Sequence, residues 1–213
     1  MNRIYLLFLL LTVLTGHAMG QDPGRLAPAL FEEAQKFQLG LDRPVDIQKA
    51  YDLYMQVTQL DPEHRDAFYN LAGLCFQHKR YDLAGKYYRK VIQLDPQDGD
   101  AYNNAGTVFE KQGNLKQAHR LYRKAIQVDS TVAVAHYNLA RMLFRDGERE
   151  AALIELNEAL RYEPDNPVFV SQSARLEGEM GKISRTTVVV VAAVFVMGLA
   201  GYALLAAKKG GLA

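Results

Sequence analysis

The sequence predicts an all-α protein, made of stacked helix pairs and followed by one C-terminal transmembrane helix. Alanine recurs at a constant spacing, at Ala50, Ala84, Ala118 and Ala152, which indicates a repeated structural unit. The segment 186–207 contains no charged residue in 22 positions, which is typical of a membrane span. A single helix pair cannot bury its apolar face, so stacking of the repeats has to supply the core.

The composition of the chain is that of a folded protein, and it excludes one class of partner. Its 213 residues suffice for one ordinary domain with accessory segments, and 49% hydrophobic with 23% charged residues is typical of a folded chain. The chain has 25 basic and 24 acidic residues, so its net charge is close to zero. A neutral chain lacks the positive field that attracts nucleic acid or anionic lipid headgroups. We therefore expect no nucleic-acid partner.

Residues 1–20 have the layout of a secretory signal peptide. Arg3 comes first, an apolar run follows over residues 4–14, and small residues end the segment. Ala18 and Gly20 then occupy the −3 and −1 positions of a cleavage site. The apolar run is too short for a comfortable membrane span. We expect this segment to direct the following residues out of the cytoplasm.

The second apolar segment, residues 186–207, is predicted to be a transmembrane helix. As a helix its 22 residues would measure about 33 Å, which matches the hydrocarbon core of a bilayer. It has no polar face, unlike a helix buried in a soluble core. The basic residues on its two sides are nearly balanced, so the signal segment decides the orientation. It places the repeats outside the cytoplasm, periplasmic or extracellular, and the short tail 208–213 inside.

The repeat extends beyond the alanines. Twelve residues after each alanine, and directly after an acidic residue, stand Pro62, Pro96, Ser130 and Pro164. Twelve residues before each alanine stand Gln38, Ala72, Gly106 and Ala140. This pattern closely resembles the tetratricopeptide repeat (TPR), a helix–turn–helix unit of about 34 residues. The resemblance implies a right-handed α-α superhelix, a TPR solenoid, with four repeats at residues 31–64, 65–98, 99–132 and 133–166.

Elementary packing explains the repeated positions. Small residues at Ala72, Gly106 and Ala140 let the first helix of a repeat approach the second closely. Asp-Pro pairs stop the second helices, because the residue before a proline avoids the helical region. Ser130 replaces the proline between the third and fourth repeats, so we expect a looser turn there.

Both ends of the array depart from the pattern. Residues 21–30 are predicted to be a linker or the start of the first helix. Gln38 occupies a position that is normally small, and residues 40–45 are predicted to be an irregular loop, so the first helix should pack less closely. Pro167 suits the first turn of a helix, and residues 167–183 are predicted to cap the stack.

The sequence shows no sign of catalysis. The histidines fall at different repeat positions without the spacing of metal ligands, at His64, His78, His119 and His136. Cys75 lies among apolar residues and is predicted to belong to the core. The chain has no glycine-rich phosphate loop, nucleophile elbow or HExxH motif. We predict that the protein is not an enzyme and uses no cofactor, metal or small-molecule substrate.

In proteins with these repeats, the first helices line a concave groove that holds a peptide or a partner helix. The resemblance implies that the following residues face such a groove here: Tyr69, Asn70, Phe76, Asn103, Asn104, Lys111, Tyr137, Asn138, Arg141 and Arg145. We therefore predict a protein or peptide as the partner.

Asparagine recurs in the groove at equivalent positions, Asn70, Asn104 and Asn138. An amide side chain can donate to and accept from a peptide bond at once, so such a row suits an extended backbone. Alternatively, the asparagines tie neighbouring helices together. We favour the ligand role for the row as a whole.

The family's best-known site is a carboxylate clamp for the C-termini of chaperones. Its positions here hold Tyr69, Gly73, Asn104, Val134 and Asn138, and only the middle asparagine matches, so we do not expect chaperone-tail binding. The groove offers aromatic side chains instead, with two arginines one helical turn apart near the fourth repeat. We expect a partly apolar segment with an acidic residue there, unless the arginines form a solvated or salt-bridged face.

Two functions agree with these features, and a third, an enzyme of unrecognised type, would need a substrate-dependent turnover assay to support it. The favoured one is a membrane-anchored, extracytoplasmic TPR scaffold, similar to the membrane-tethered repeat proteins of bacterial envelope biogenesis, which holds a partner for assembly of an envelope complex. The alternative is a cytosol-facing, tail-anchored adaptor, similar to the mitochondrial fission adaptor family. The alternative requires residues 1–20 to be an uncleaved arm, which their apolar run makes awkward.

Overall fold

A computed structural model describes residues 23–182, and within this range the chain forms nine helices and no strand. The helices are α1 (Pro23–Leu39), α2 (Ile47–Leu60), α3 (Arg65–Gln77), α4 (Tyr81–Leu94), α5 (Gly99–Lys111), α6 (Leu115–Val128), α7 (Ala133–Arg145), α8 (Arg149–Tyr162) and α9 (167–182). The predicted signal peptide, transmembrane helix and tail lie outside the described residues. Among α1–α9, none combines the length and the apolar character needed to cross a bilayer.

The chain divides into two compact units, with the boundary between Ala135 and His136. In the described residues, the first unit contains α1 to α6 and the first turn of α7. The second unit contains the rest of α7 together with α8 and α9. Each unit has its own buried residues and is described by itself below.

Side chains that accept hydrogen bonds from free backbone N–H groups fix where the helices of the first unit begin. Asp46 accepts from the N–H of Lys49 at the start of α2, over 2.9 Å. Asp98 accepts from the N–H of Ala101 at the start of α5, over 2.8 Å. Such caps satisfy donors that the helix itself leaves unpaired, and each contributes about 1 kcal/mol.

The turn between the third and fourth predicted repeats is not looser than the others. Asp129 ends α6 at φ −144° and ψ 100°, close to the −134° and 94° of Asp95, which a proline follows. Thr131 takes over the restraint, since its hydroxyl and its N–H both donate to the Asp129 carboxylate, over 2.7 and 2.9 Å. These bonds, the hydroxyl first, lower the pKa of Asp129.

Close contact between the two helices of a pair depends on the small residues. Ala50, Ala84 and Ala118 are all fully buried. Gly106 is equally necessary, because a Cβ atom there would lie 2.7 Å from Cε1 of Tyr122.

The first helix, α1, packs along α2 although Gln38 stands at a position that is normally small. The Gln38 side chain is accommodated because its amide oxygen accepts a 2.6 Å hydrogen bond from the buried Tyr54 hydroxyl. A polar partner thus allows a large residue at a position that is normally small.

Lys79 adopts a left-handed backbone conformation, with φ +58°, in the turn between α3 and α4. The next two repeats have glycine at the matching place, Gly113 at φ +79° and Gly147 at φ +89°. A residue with a Cβ atom pays about 1–2 kcal/mol for this conformation, whereas glycine does not. Lys79 is therefore a strained position in an otherwise regular turn.

We expect Lys79→Gly to raise the free energy of unfolding by up to about 1 kcal/mol, because the relieved strain exceeds the extra entropy that glycine loses on folding. Urea denaturation followed by circular dichroism measures this change. Lys79→Ala is the control, since it removes the same side chain and keeps the Cβ atom. An equal gain from both variants would contradict the argument from backbone strain.

Candidate functional site

The first helices of the first unit, α1, α3 and α5, line an open cleft of about 300 Å³, called here the first-helix cleft. Its lining combines two aromatic rings with amides, carboxylates and one guanidinium, from Phe31, Gln35, Arg65, Asp66, Tyr69, Asn70 and Asp100. Two of these, Tyr69 and Asn70, belong to the predicted groove residues. Apolar rings beside groups that donate and accept hydrogen bonds suit a polypeptide ligand.

Arg65 is the cation of this cleft, and carboxylates of the protein itself surround it. Its guanidinium donates to Asp66 over 2.5 Å and to Asp98, and its Nε lies 3.8 Å from a carboxylate oxygen of Asp95. The Asp98 side chain is only 4% exposed, so its charge depends on Arg65 for compensation. The positive charge of Arg65 is thus already paired with carboxylates of the protein itself.

Asp100 is the carboxylate of the cleft whose charge is least compensated. Burial raises the pKa of its carboxyl group, and the negative charges of Asp98 and Asp129 raise it further. Arg65 lowers the pKa but does not outweigh these effects. Each of these effects disfavours the charged form of the Asp100 carboxyl group. A cation bound nearby would stabilise this charged form.

Two predicted groove asparagines of the first unit, Asn70 and Asn104, lie beside tyrosines of neighbouring helices. The Asn104 amide donates to the Tyr69 hydroxyl over 2.7 Å and so joins α5 to α3. The Asn70 side chain lies near the Tyr54 hydroxyl and lowers its pKa. Burial raises the pKa of Tyr54 to about 12, against the effect of Asn70, and burial also raises the pKa of Tyr69. Asn104 therefore ties two helices together, and a ligand role for the row of asparagines stays a prediction.

In the second unit, α7, α8 and α9 enclose a small pocket of about 40 Å³, called here the α7–α9 pocket. It is mainly apolar with two arginines, and its lining is Tyr137, Ala140, Arg141, Phe144, Ala152, Leu156, Gln172, Arg175 and Leu176. The Arg141 guanidinium donates to the Asn138 side chain over 3.1 Å and lies 5.8 Å from the Tyr137 ring centroid. Tyr137 in turn stacks on Phe169.

Two family models, both described as tetratricopeptide repeat, match residues 63–131 and 109–176, and together they cover more than half of the chain. This chain belongs to the tetratricopeptide-repeat family. The predicted family and the all-helical TPR fold are thereby confirmed. Proteins of this family are non-catalytic interaction scaffolds, which agrees with the prediction that this TPR protein is not an enzyme.

Solved TPR structures resemble the chain over most of its length. The MamA protein is 18% identical with a TM-score of 0.62, over 74% of this chain and 84% of its own. PilF of Pseudomonas aeruginosa is 20% identical with a TM-score of 0.64, and the match covers 75% of this chain and 71% of PilF. YrrB, described as a TPR protein with an unusual peptide-binding site, is 16% identical with a TM-score of 0.56. The match covers 71% of this chain and 76% of YrrB. At these identities the likeness establishes the fold alone. No curated protein sequence matches the chain.

The remaining predicted groove residues of this TPR chain are placed differently. Asn103 is only 5% exposed, and its amide donates to the Asn104 side chain over 3.3 Å, so it supports a groove residue. Phe76 and Lys111 lie at the C-terminal ends of α3 and α5, whereas the cleft is formed by their N-terminal halves. In the second unit, Arg145 is exposed and lies 3.6 Å from the neighbouring Asp146 carboxylate.

Sequence reasoning missed part of the cleft lining. Phe31 and Gln35 lie on α1, for which no groove positions were assigned, and Arg65 begins α3. The repeat register places Asp66 and Asp100 on the groove side, together with Tyr69 and Asn70. The register itself was the available signal, because all of these residues lie on first helices.

Two groups with catalytic potential in the described range, Cys75 and His136, are buried. Cys75 is 2% exposed, and burial raises the pKa of its thiol, which disfavours the reactive thiolate. His136 is 5% exposed; it hydrogen-bonds Glu155 over 2.7 Å and stacks on Tyr162. Residues 23–182 contain no cluster of three or more His, Cys, Asp or Glu side chains that could hold a metal ion.

Proposed function

We propose that this TPR protein binds an extended segment of a partner protein in the first-helix cleft. The cleft carries the proposal, because it exposes aromatic rings, amides and the incompletely compensated carboxylate of Asp100 on the helices that line the ligand groove in this family. The side chain of Gln35 offers a donor and an acceptor to the ligand backbone, and Phe31 and Tyr69 offer apolar contact area. The peptide-binding site described for YrrB supports this use of the fold.

The binding proposal is tested by a photo-cross-linking residue placed at Gln35 in the full chain, within cells of its own source. We expect a discrete cross-linked product, which mass spectrometry then identifies. The matched control places the same residue at Arg89, an exposed position on the second helix α4. Identical products from both positions, or none from Gln35, would rule out the cleft as the binding site.

We further propose that residues 186–207 anchor the repeats in a membrane and that the signal segment sends them out of the cytoplasm. The uncharged run of 22 residues and the signal-like layout of residues 1–20 support this arrangement. A scaffold held at the bilayer surface suits the assembly of an envelope complex. The α7–α9 pocket is mainly apolar, and its two arginines, Arg141 and Arg175, suit an acidic residue of a partner.

A cytosol-facing, tail-anchored adaptor remains the second candidate. It is favoured by the apolar segment 186–207 and by the basic residues Lys208 and Lys209 that follow it directly. Protease treatment of intact, right-side-out membrane preparations separates the two functions. We expect the repeats to be digested from the extracytoplasmic side and N-terminal sequencing to show Gln21 first. Repeats that are digested only from the cytosolic side would establish the adaptor instead.

A further inference from the structure

We propose that the first-helix cleft holds a lysine or arginine side chain of the bound segment, with its charge beside Asp66 and Asp100. The inference rests on the proposed function, since it names the chemistry of the segment that the cleft accepts. It commits to a basic residue on a protein partner, in contrast to the acidic residue that the sequence suggested near the fourth repeat.

The charge around the cleft is the first argument. Asp66 and Asp100 line it, Asp95 and Asp98 lie behind them, and Arg65 is the one cation among the described lining residues. Because Arg65 already donates to two of these carboxylates, the group keeps a surplus of negative charge. An acidic segment would add to this surplus, whereas a lysine or arginine would offset it.

The mixture of side chains in the cleft is the second argument. Phe31 and Tyr69 provide ring surface along which the methylene stem of a long basic side chain can lie. Its cationic end would then reach the carboxylates, and a cation near the face of a ring gains further attraction. Arg65 already makes such a contact within the protein, since its guanidinium lies 6.0 Å from the Tyr69 ring centroid.

The position of the carboxylates is the third argument. Asp66 and Asp100 lie in the first turns of α3 and α5, on two neighbouring first helices. Asp66 is held by Arg65, whereas Asp100 is exposed on the surface with the negative charges of Asp98 and Asp129 near it. A bound cation would offset these charges, so part of the binding energy comes from relief of repulsion present in the free protein.

The test selects peptides from a random decapeptide display library on the full-length chain in detergent micelles. We expect lysine and arginine to be enriched over the input library, and the enrichment to disappear in the isosteric double variant Asp66→Asn, Asp100→Asn. The matched control, Asp52→Asn with Asp82→Asn, removes two exposed carboxylates from the second helices α2 and α4. Circular dichroism melting confirms that each variant is folded.

One enriched peptide is then measured in pairs, with its basic residue and with norleucine in that place. We expect norleucine to weaken binding about tenfold in the natural chain and in the control, and to change little in the Asp66, Asp100 double variant.

The possible outcomes distinguish failure of the basic preference from failure of the proposed binding function. If no peptide is enriched at all, the proposed function fails and the inference falls with it. Enrichment without a basic preference, or with the same preference in the Asp66, Asp100 double variant, overturns the inference alone. An equal loss in the control variant would also overturn it, because the preference would then reflect the general field of the protein.

Discussion

Gly106→Ala should lower the free energy of unfolding by about 1–2 kcal/mol in total, because overpacking outweighs the better helix propensity of alanine. The new methyl group would lie 2.7 Å from the Tyr122 ring, closer than any relaxed carbon contact. The ring cannot easily withdraw, because its hydroxyl donates to Glu110 over 2.7 Å and the side chain is fully buried. Overpacking of this kind costs about 1–3 kcal/mol, more than the roughly 1 kcal/mol that alanine gains over glycine within a helix.

The control for this variant is Gly73→Ala, because Gly73 is also a helical glycine but an added Cβ atom there meets no other atom within 4 Å. We expect it to stabilise the protein by up to about 1 kcal/mol, so the two glycines should respond with opposite signs. Urea denaturation and thermal melting measure both. A loss from Gly73→Ala, or a gain from Gly106→Ala, would refute the contact as its cause.

Arg65→Met should lower the free energy of unfolding by about 2–3 kcal/mol, because it breaks a partly buried ion pair. Methionine keeps much of the apolar stem but leaves the nearly buried Asp98 carboxylate without its partner, with Asp66 and Asp95 close by. Breaking a buried ion pair costs about 3–5 kcal/mol, and we expect less here because the Arg65 side chain is 40% exposed. Arg89→Met is the control, since Arg89 is exposed on α4, and it should change stability by less than about 0.5 kcal/mol.

A double-mutant cycle identifies Asp98 as the group that makes Arg65 necessary. Asparagine at this position removes the charge and still accepts a hydrogen bond at the start of α5, as Asp98 does from Ala101. Arg65→Met combined with Asp98→Asn should therefore be at least about 1 kcal/mol more stable than the two separate losses predict. Strict additivity would mean that Arg65 stabilises the protein through packing of its stem.

The sequence predicts the repeated part of this fold well, because the packing of each helix pair depends on residues that lie close together in the sequence. A helix pair needs a small residue at its crossing point, so Ala50, Ala84 and Ala118 appear at constant spacing and are buried in the structure. The same register could have shown that Lys79 replaces a glycine, since Gly113 and Gly147 occupy the equivalent positions of the next two repeats.

Interactions between different repeats are less predictable, because they depend on how far particular side chains reach. Asn104 donates to Tyr69 on the preceding first helix, and the repeat period does not contain this pairing. Arg65 and Asp98 likewise meet across a repeat boundary, and only the three-dimensional contact shows that the arginine of the cleft is already engaged. The preference of the cleft for a basic ligand follows from that contact.

The burial of Cys75 gives the protein an internal reporter of local opening. It is the single cysteine of the chain and is 2% exposed in α3, and burial raises the pKa of its thiol. A thiol reagent too large for the pocket that Cys75 lines with Tyr51 and Arg80 can therefore modify it only when this helix separates from its neighbours. The labelling rate of the unaltered protein, compared with that of a free thiol, gives the free energy of this opening. A peptide that binds the cleft and holds α3 in place should slow the labelling without any engineered probe.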